Sequence, residues 1–320
     1  MPRFLRAKAA PATLAFLIGS GAGIAAGAAE PPNVVASIGP VHSLVAGVMQ
    51  GIGTPTLLLK GGASPHTYSL KPSDARALAS ARLIFWIGED MERFLVRPLK
   101  TLGRKARTVT LLEAKGVAVL NVREAGVWAE HGHGGRNEKH AKGHEHGEHD
   151  AHIWLDPRNA KAMAAAIVAA LVKADPGNAA AYRANGMRLA AKLVALDRDL
   201  DKDLAPVRSA PFVVFHDAYQ YFERRYRLRA AGAITLDPGR KPGARRLREI
   251  RAAIRARGAR CVFAEPQFRP SLVATVTEGT GVRAAVLDPL GARIKPGAAA
   301  YFILMRRLSA NLIDCLKSNS

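Results

Sequence analysis

Cysteine is nearly absent: Cys261 and Cys315 are the only two in 320 residues. Neither lies in a C-x-x-C pair or beside a histidine, which argues against a thiolate metal site. An even count leaves two readings open, one disulfide or two buried thiols. Acidic residues are also scarce, with 26 Asp and Glu against 47 Lys and Arg, for a formal net charge of +21. Nucleic acid is the usual partner for such a balance. Here the basic residues are spread along helical faces such as RRLREIRAAIRARGAR, so no nucleic acid is expected. Long apolar runs are missing after the first thirty residues, which excludes a later membrane-spanning helix. H-E-x-x-H and nucleophile-triad signatures are missing too, and the chain is not expected to be an enzyme.

Residues 1–29 read as an export signal. MPRFLRAKAA supplies the positive flank and TLAFLIGSGAGIAAG a short apolar stretch. Ala26-Gly27-Ala28 offers a small-x-small cleavage site before Ala29 or Glu30. Removing Arg3, Arg6 and Lys8 with it leaves +18. No cysteine follows the apolar run to carry a lipid anchor.

The remainder alternates strand and helix. NVVASIGPVHSLVAGVM, TPTLLLKGG, LIFWIGE and TVTLLEA supply four apolar strands with helices between them, KPSDARALASA starting at a Ser73 cap. A second series begins at PFVVFHDA and continues through AAGAITL, RCVFAEP and VRAAVLDPL, closing on a helix over AAYFILMRRLSANLIDCLK. Such alternation predicts parallel sheets covered by helices on both faces. Between the series, residues 178–205 read as one long amphipathic helix whose apolar side carries Tyr182, Leu189, Leu193, Leu196 and Leu200. The expected fold is therefore α/β with two lobes, 30–177 and 206–320, joined by that helix. Within the first lobe, 129–150 is rich in Gly, His, Lys and Glu and poor in apolar residues, so it is expected to be disordered.

Three histidines stand at element ends: His66 in GASPHTYSL, His152 in DAHIWLDP and His216 in PFVVFHDAY. Asp288 in VRAAVLDPLG holds a similar place. Imidazoles with one carboxylate suit a borderline divalent cation such as zinc. Ligands of open α/β sheets lie at the carboxyl ends of strands, where these residues fall. Asp217 reads as a helix cap or a support for His216, with the cap preferred. His42 reads as structural, and Glu265 as a rim residue or the partner of an Arg. His131, His133, His140, His144, His146 and His149 form a secondary set; mobile histidines bind metal weakly because each ligation orders the chain.

SPHTYSLKPSD, HIWLDP, VVFHDAYQYFE, CVFAEPQFRP and LDPLG, in this order, resemble the periplasmic zinc-binding components of bacterial ABC zinc importers, the ZnuA-like group of metal-binding solute receptors. The resemblance covers essentially the chain beyond its signal. It implies two α/β lobes on one long helix and a zinc ion between them, with His66, His152, His216 and Asp288 at the family's ligand positions. It also implies a periplasmic location, a membrane permease as partner, and a disulfide between Cys261 and Cys315; a monomer is expected. Manganese-binding relatives usually carry Glu where this chain has His216, and a third imidazole favours zinc. One departure stands out. Some zinc receptors place an acid directly before the first histidine, where this chain has Pro65. Rival readings are a receptor for manganese or nickel, a zinc-dependent hydrolase, and a surface adhesin.

Overall fold

The computed structural model describes residues 1, 30–123, 149–236, 238–239, 242–269 and 271–317. The first sheet is built from β1 (Val34–Ala36), β2 (Thr56–Leu57), β3 (Leu83–Trp86) and β4 (Arg107–Thr110), in the order β2-β1-β3-β4 and parallel throughout. Its connections are α1 (Gly39–Val48), α2 (Pro72–Ser80) and α3 (Val96–Thr101). A two-stranded antiparallel ribbon follows, β5 (Leu120–Asn121) with β6 (His149–Asp150). Next come α4 (Pro157–Ala174) and α5 (Ala179–Leu204).

The second sheet is also wholly parallel. It holds β7 (Phe212–His216), β8 (Ala230–Thr235), β9 (Cys261–Ala264) and β10 (Arg283–Val286) in the order β10-β9-β7-β8. Its helices are α6 (Gln220–Tyr226), α7 (Ala244–Ala256), α8 (Ser271–Thr277) and α9 (Ala300–Lys317). The expected architecture is what is found: two parallel sheets flanked by helices, with a long helix between them. No described helix is long and apolar enough to cross a membrane.

In both sheets the chain reverses its direction of travel between two central strands, β1 and β3 in one, β7 and β9 in the other. Reversal opens a crevice at the carboxyl ends of those strands, because the following connections diverge. His216 ends β7, and Glu265 comes directly after β9. On the first sheet, the turn after β3 is set by Glu92. Its carboxylate accepts from Ile87 N at 3.0 Å, Gly88 N at 3.0 Å and Ser37 Oγ at 2.5 Å. Burial pushes its pKa up to about 7, although Ser37 and the two amides pull the other way. In the same turn Met91 N donates to Gly88 O at 3.1 Å.

The apolar side of α5 is buried at Tyr182, Leu189, Leu193, Leu196, Leu200 and Leu204, the spacing of one helical face. Gly186 lets α5 lie against α4, since a Cβ there would come within 2.4 Å of Val168. One continuous core carries residues of both sheets, among them Phe85, Trp154, Leu193, Phe212, Phe263 and Tyr301. Cys261 and Cys315 form a disulfide with Cα atoms 6.2 Å apart, pinning α9 to β9. Closing a loop of this length is worth roughly 4 kcal/mol at most by chain entropy.

Some local expectations fail. The cap of α2 is not Ser73: Lys71 holds the N-cap position, and Asp74 accepts its backbone N–H at 2.9 Å. A third-position carboxylate reaches back more easily than a second-position hydroxyl. The regular part of TPTLLLKGG shrinks to Thr56–Leu57, though Leu58 and Leu59 still donate to β1-side carbonyls. His149 and Asp150, counted in the histidine-rich stretch, are paired strand residues. Residues 2–29 and 124–148 lie outside the described residues, and with them the export signal and His131, His133, His140, His144 and His146.

Candidate metal centre

DAHIWLDP folds around its two acids. Asp156 caps α4, accepting from Arg158 N at 2.8 Å, with Pro157 in the first helical turn. Asp150 Oδ1 accepts from His152 N at 3.0 Å and bonds His152 Nδ1 at 2.7 Å. When Asp150 is ionised it only accepts, so Nδ1 then carries the proton and Nε2 presents its lone pair. His216 is fixed in the same way: its Nδ1 lies 2.7 Å from Glu265 Oε1, and both residues are buried. The two Nε2 atoms then face each other across 3.3 Å. His66 comes from the loop between β2 and α2, and its ring centroid lies 5.6 Å from each of the other two.

Among the described residues, these three form the group able to hold a metal, with one ligand atom from each within 4.8 Å of the others. Nitrogens bound at about 2.0–2.1 Å to a tetrahedral ion sit about 3.4 Å apart, which matches the Nε2 pair. The two nitrogens are at hydrogen-bond distance, so a shared proton or a bound metal ion holds them together. The cavity at this point is about 10 Å³ and is lined by Met91, Trp154, Gln267, Phe268 and Pro289 besides the histidines. That is the room of about one water-sized sphere.

Burial pushes the His152 pKa well below the ordinary imidazole value, and the neighbouring His216 adds to the effect. Burial acts on His216 likewise, but the Glu265 carboxylate outweighs it and the net direction is up. Burial pushes Asp150 up to about 7 despite the amide of His152 and the charges of Arg123 and His216. Asp150 Oδ2 and Glu265 Oε2 are buried without a hydrogen-bond partner. The carboxyl groups behind the two rings favour positive charge, a proton or a metal ion, at the histidines.

Asp288 is placed differently from the three histidines. Its carboxylate accepts from Gln267 Nε2 at 2.8 Å, Leu290 N at 3.2 Å, Gly291 N at 2.9 Å and Ala292 N at 2.6 Å, and it is not in the metal-holding group. His149, the one described member of the secondary set, is 43% exposed at its side chain and 3.7 Å from Asp90. His42 is structural as expected, buried with Nε2 3.1 Å from Pro55 O.

Glu265 corrects its reading as a rim or arginine-paired residue; it is buried and orients His216. Asp217 is no helix cap. It forms a two-pronged ion pair with Arg123, whose Nε lies 2.9 Å from Asp217 Oδ2 while Nη1 reaches Glu223 Oε2 at 2.8 Å. Arg123 and Asp150 are thus supports that the sequence reading missed. Asp150, two residues before a histidine, was a detectable signal for a carboxylate–imidazole pair. Arg123 carried none.

A family model described as zinc-uptake complex component A, periplasmic, matches residues 34–315. The chain is 48% identical over 310 residues to the high-affinity zinc uptake system protein ZnuA of Brucella abortus, covering 90% of this chain and 93% of that protein. With the protein of the same name from Yersinia pestis it shares 39% over 290 residues, covering 89% and 91%. A zinc-bound deletion mutant of ZnuA has the same fold, with a TM-score of 0.75 at 24% identity, covering 91% of this chain and 100% of that one.

Proposed function

The chain belongs to the family of periplasmic zinc-uptake components A, and on that premise we propose that it captures zinc in the periplasm and delivers it to an ABC importer. His66, His152 and His216 hold the ion. The observation that carries this reading is the pair of Nε2 atoms 3.3 Å apart, with His66 beside them and each ring of the pair held by a carboxyl group at its Nδ1. Three imidazoles with no carboxylate in the metal-holding group suit zinc better than manganese, which prefers oxygen ligands. The fourth place goes to water, because Asp288 would first have to give up the amides of its own loop. A cavity of about 10 Å³ suits an ion with a water, which supports carriage without turnover. Residues 1–29 serve as the export signal in this reading. Release needs the ligand loops to part, since an ion held by every ligand leaves too slowly for transport.

Calorimetric titration with zinc, run in competition with manganese and nickel, tests the site. His66→Ala is expected to lower zinc affinity at least ~10-fold, about 1.4 kcal/mol. Asp288→Ala is expected to change it less than His66→Ala does. Undiminished zinc binding by His66→Ala, or manganese displacing zinc, refutes the assignment.

The histidines between 131 and 149 act as a low-affinity collector that raises the zinc concentration near the cleft. Deleting residues 129–148 is expected to reduce the number of zinc ions bound and leave the tight site's affinity almost unchanged. Loss of the tight site on deletion would mean that this segment supplies a ligand.

A further inference from the structure

Positive charge is divided unevenly along the chain. Residues 30–205 hold 23 Lys and Arg against 18 Asp and Glu, whereas residues 206–320 hold 21 against 8. Half of those eight acids are consumed inside the fold. Asp217 and Glu223 face Arg123, Glu265 faces His216, and Asp288 is held by Gln267 and the amides of 290–292. They do not offset the basic surface of the second lobe.

That surface is concentrated on α7. The helix packs on the side of the second sheet away from α5 and α9, over a small separate core of Val213, Ile234, Ile250, Ile254, Val262 and Val276. Its inward residues are Ile250 and Ile254. Arg245, Arg248, Arg251 and Arg255 recur every three or four positions and so fall along one stripe, about 15 Å long at 1.5 Å per residue. Arg245, Arg248 and Arg255 are exposed, Arg245 88% so at its side chain. Glu249, the one acid of this helix, pairs with Arg245 at 3.0 Å. Arg251 and Arg255 donate to the carbonyls of Glu278 and Gly279, which fixes the end of α8 beneath the stripe while leaving both guanidinium charges uncompensated.

We propose that the arginine stripe of α7 binds the phosphate headgroups of an anionic phospholipid surface, holding the receptor against the membrane that contains its importer. A straight, rigid row of guanidinium groups with little acid beside it fits a flat sheet of phosphates. Each basic residue near an anionic bilayer multiplies binding roughly fivefold, and the effect fades within a Debye length of about 8 Å at physiological salt. The attachment is therefore weak, reversible and salt-dependent, which suits a carrier that must also leave. A membrane role for this face presumes the periplasmic reading above, but lipid binding itself needs no zinc.

The test is co-sedimentation of the zinc-loaded protein with vesicles of phosphatidylglycerol and phosphatidylcholine, and with phosphatidylcholine alone. Binding is expected to the anionic vesicles only and to fall as salt is raised. The triple variant Arg245→Gln, Arg248→Gln, Arg255→Gln should bind them roughly a hundredfold more weakly. A control triple on exposed cations of the first lobe, Lys100→Gln, Arg104→Gln and Lys105→Gln, should change binding only a few-fold. Absent binding to anionic vesicles, or equal loss in both triples, overturns the proposal. So does a short DNA duplex that binds more tightly than the vesicles and displaces them from α7. Zinc titration of the α7 triple should match that of the parent, which shows that the fold is intact. If the parent itself failed to bind zinc, the zinc reading would fall while the vesicle result stood.

Discussion

Arg123→Leu is expected to lose about 3–5 kcal/mol of folding stability at neutral pH, read by denaturant unfolding. The reason is what remains after the substitution. Arg123 is the only cation placed within ion-pair distance of both Asp217 and Glu223 among the described residues. Both carboxylates are buried, with side chains 8% and 6% exposed. Removing one partner of a buried ionic cluster leaves uncompensated charge, which is worse than never having had the cluster.

A pH series separates this cause from a mere packing defect. Burial raises Glu223 to about 7 even with Arg123 beside it. A carboxyl whose folded pKa lies above its unfolded value gives stability that is present below the unfolded pKa and is lost as pH rises through the folded one. Without Arg123 the folded value rises further, so the loss grows. The deficit should be larger at pH 8 than at pH 5, where Glu223 takes up a proton. A deficit independent of pH would assign the effect to packing of the arginine stem instead.

The second large effect falls on the ion. Glu265→Ala is expected to weaken zinc binding about 10–100-fold, or about 1.4–2.8 kcal/mol, although Glu265 need not touch the metal. Its Oε1 fixes the ring of His216 and the nitrogen that stays bare. Glu265→Gln keeps an acceptor and removes the charge, so its affinity should lie between those of the parent and the alanine variant. Equal affinities across all three proteins would show that the His216 ring is held by packing against Phe268 alone.

The strands and helices were legible in the sequence because apolar runs of four to six residues, such as those ending at Trp86 and His216, can only be buried in a sheet covered on both faces. The three histidines were legible for a related reason: His216 ends such a run, His152 stands directly before Ile153-Trp154-Leu155, and His66 follows the turn after TPTLLLKGG. Their supports were harder to read. Glu265 looks like any acid after a strand, and its role follows from β9 lying beside β7, a fact of strand order that local sequence does not state. Arg123 meets Asp217 and Glu223 across about 100 positions, a distance over which no periodicity speaks. Asp288, read as one of two candidates for the fourth place beside water, has other partners. Its position after β10 is right for a ligand, but the turn at 289–292 offers three amides, and a carboxylate next to free N–H groups binds them first.

His66, His152 and His216 enter from three different connections: the loop after β2, the turn before α4 and the end of β7. In heredity this means that the donors are encoded far apart, in three separate stretches of the chain. A single codon can exchange one donor for a harder or softer one while the cores of both sheets stay unaltered, so a lineage can retune which ion it carries without first learning to fold again.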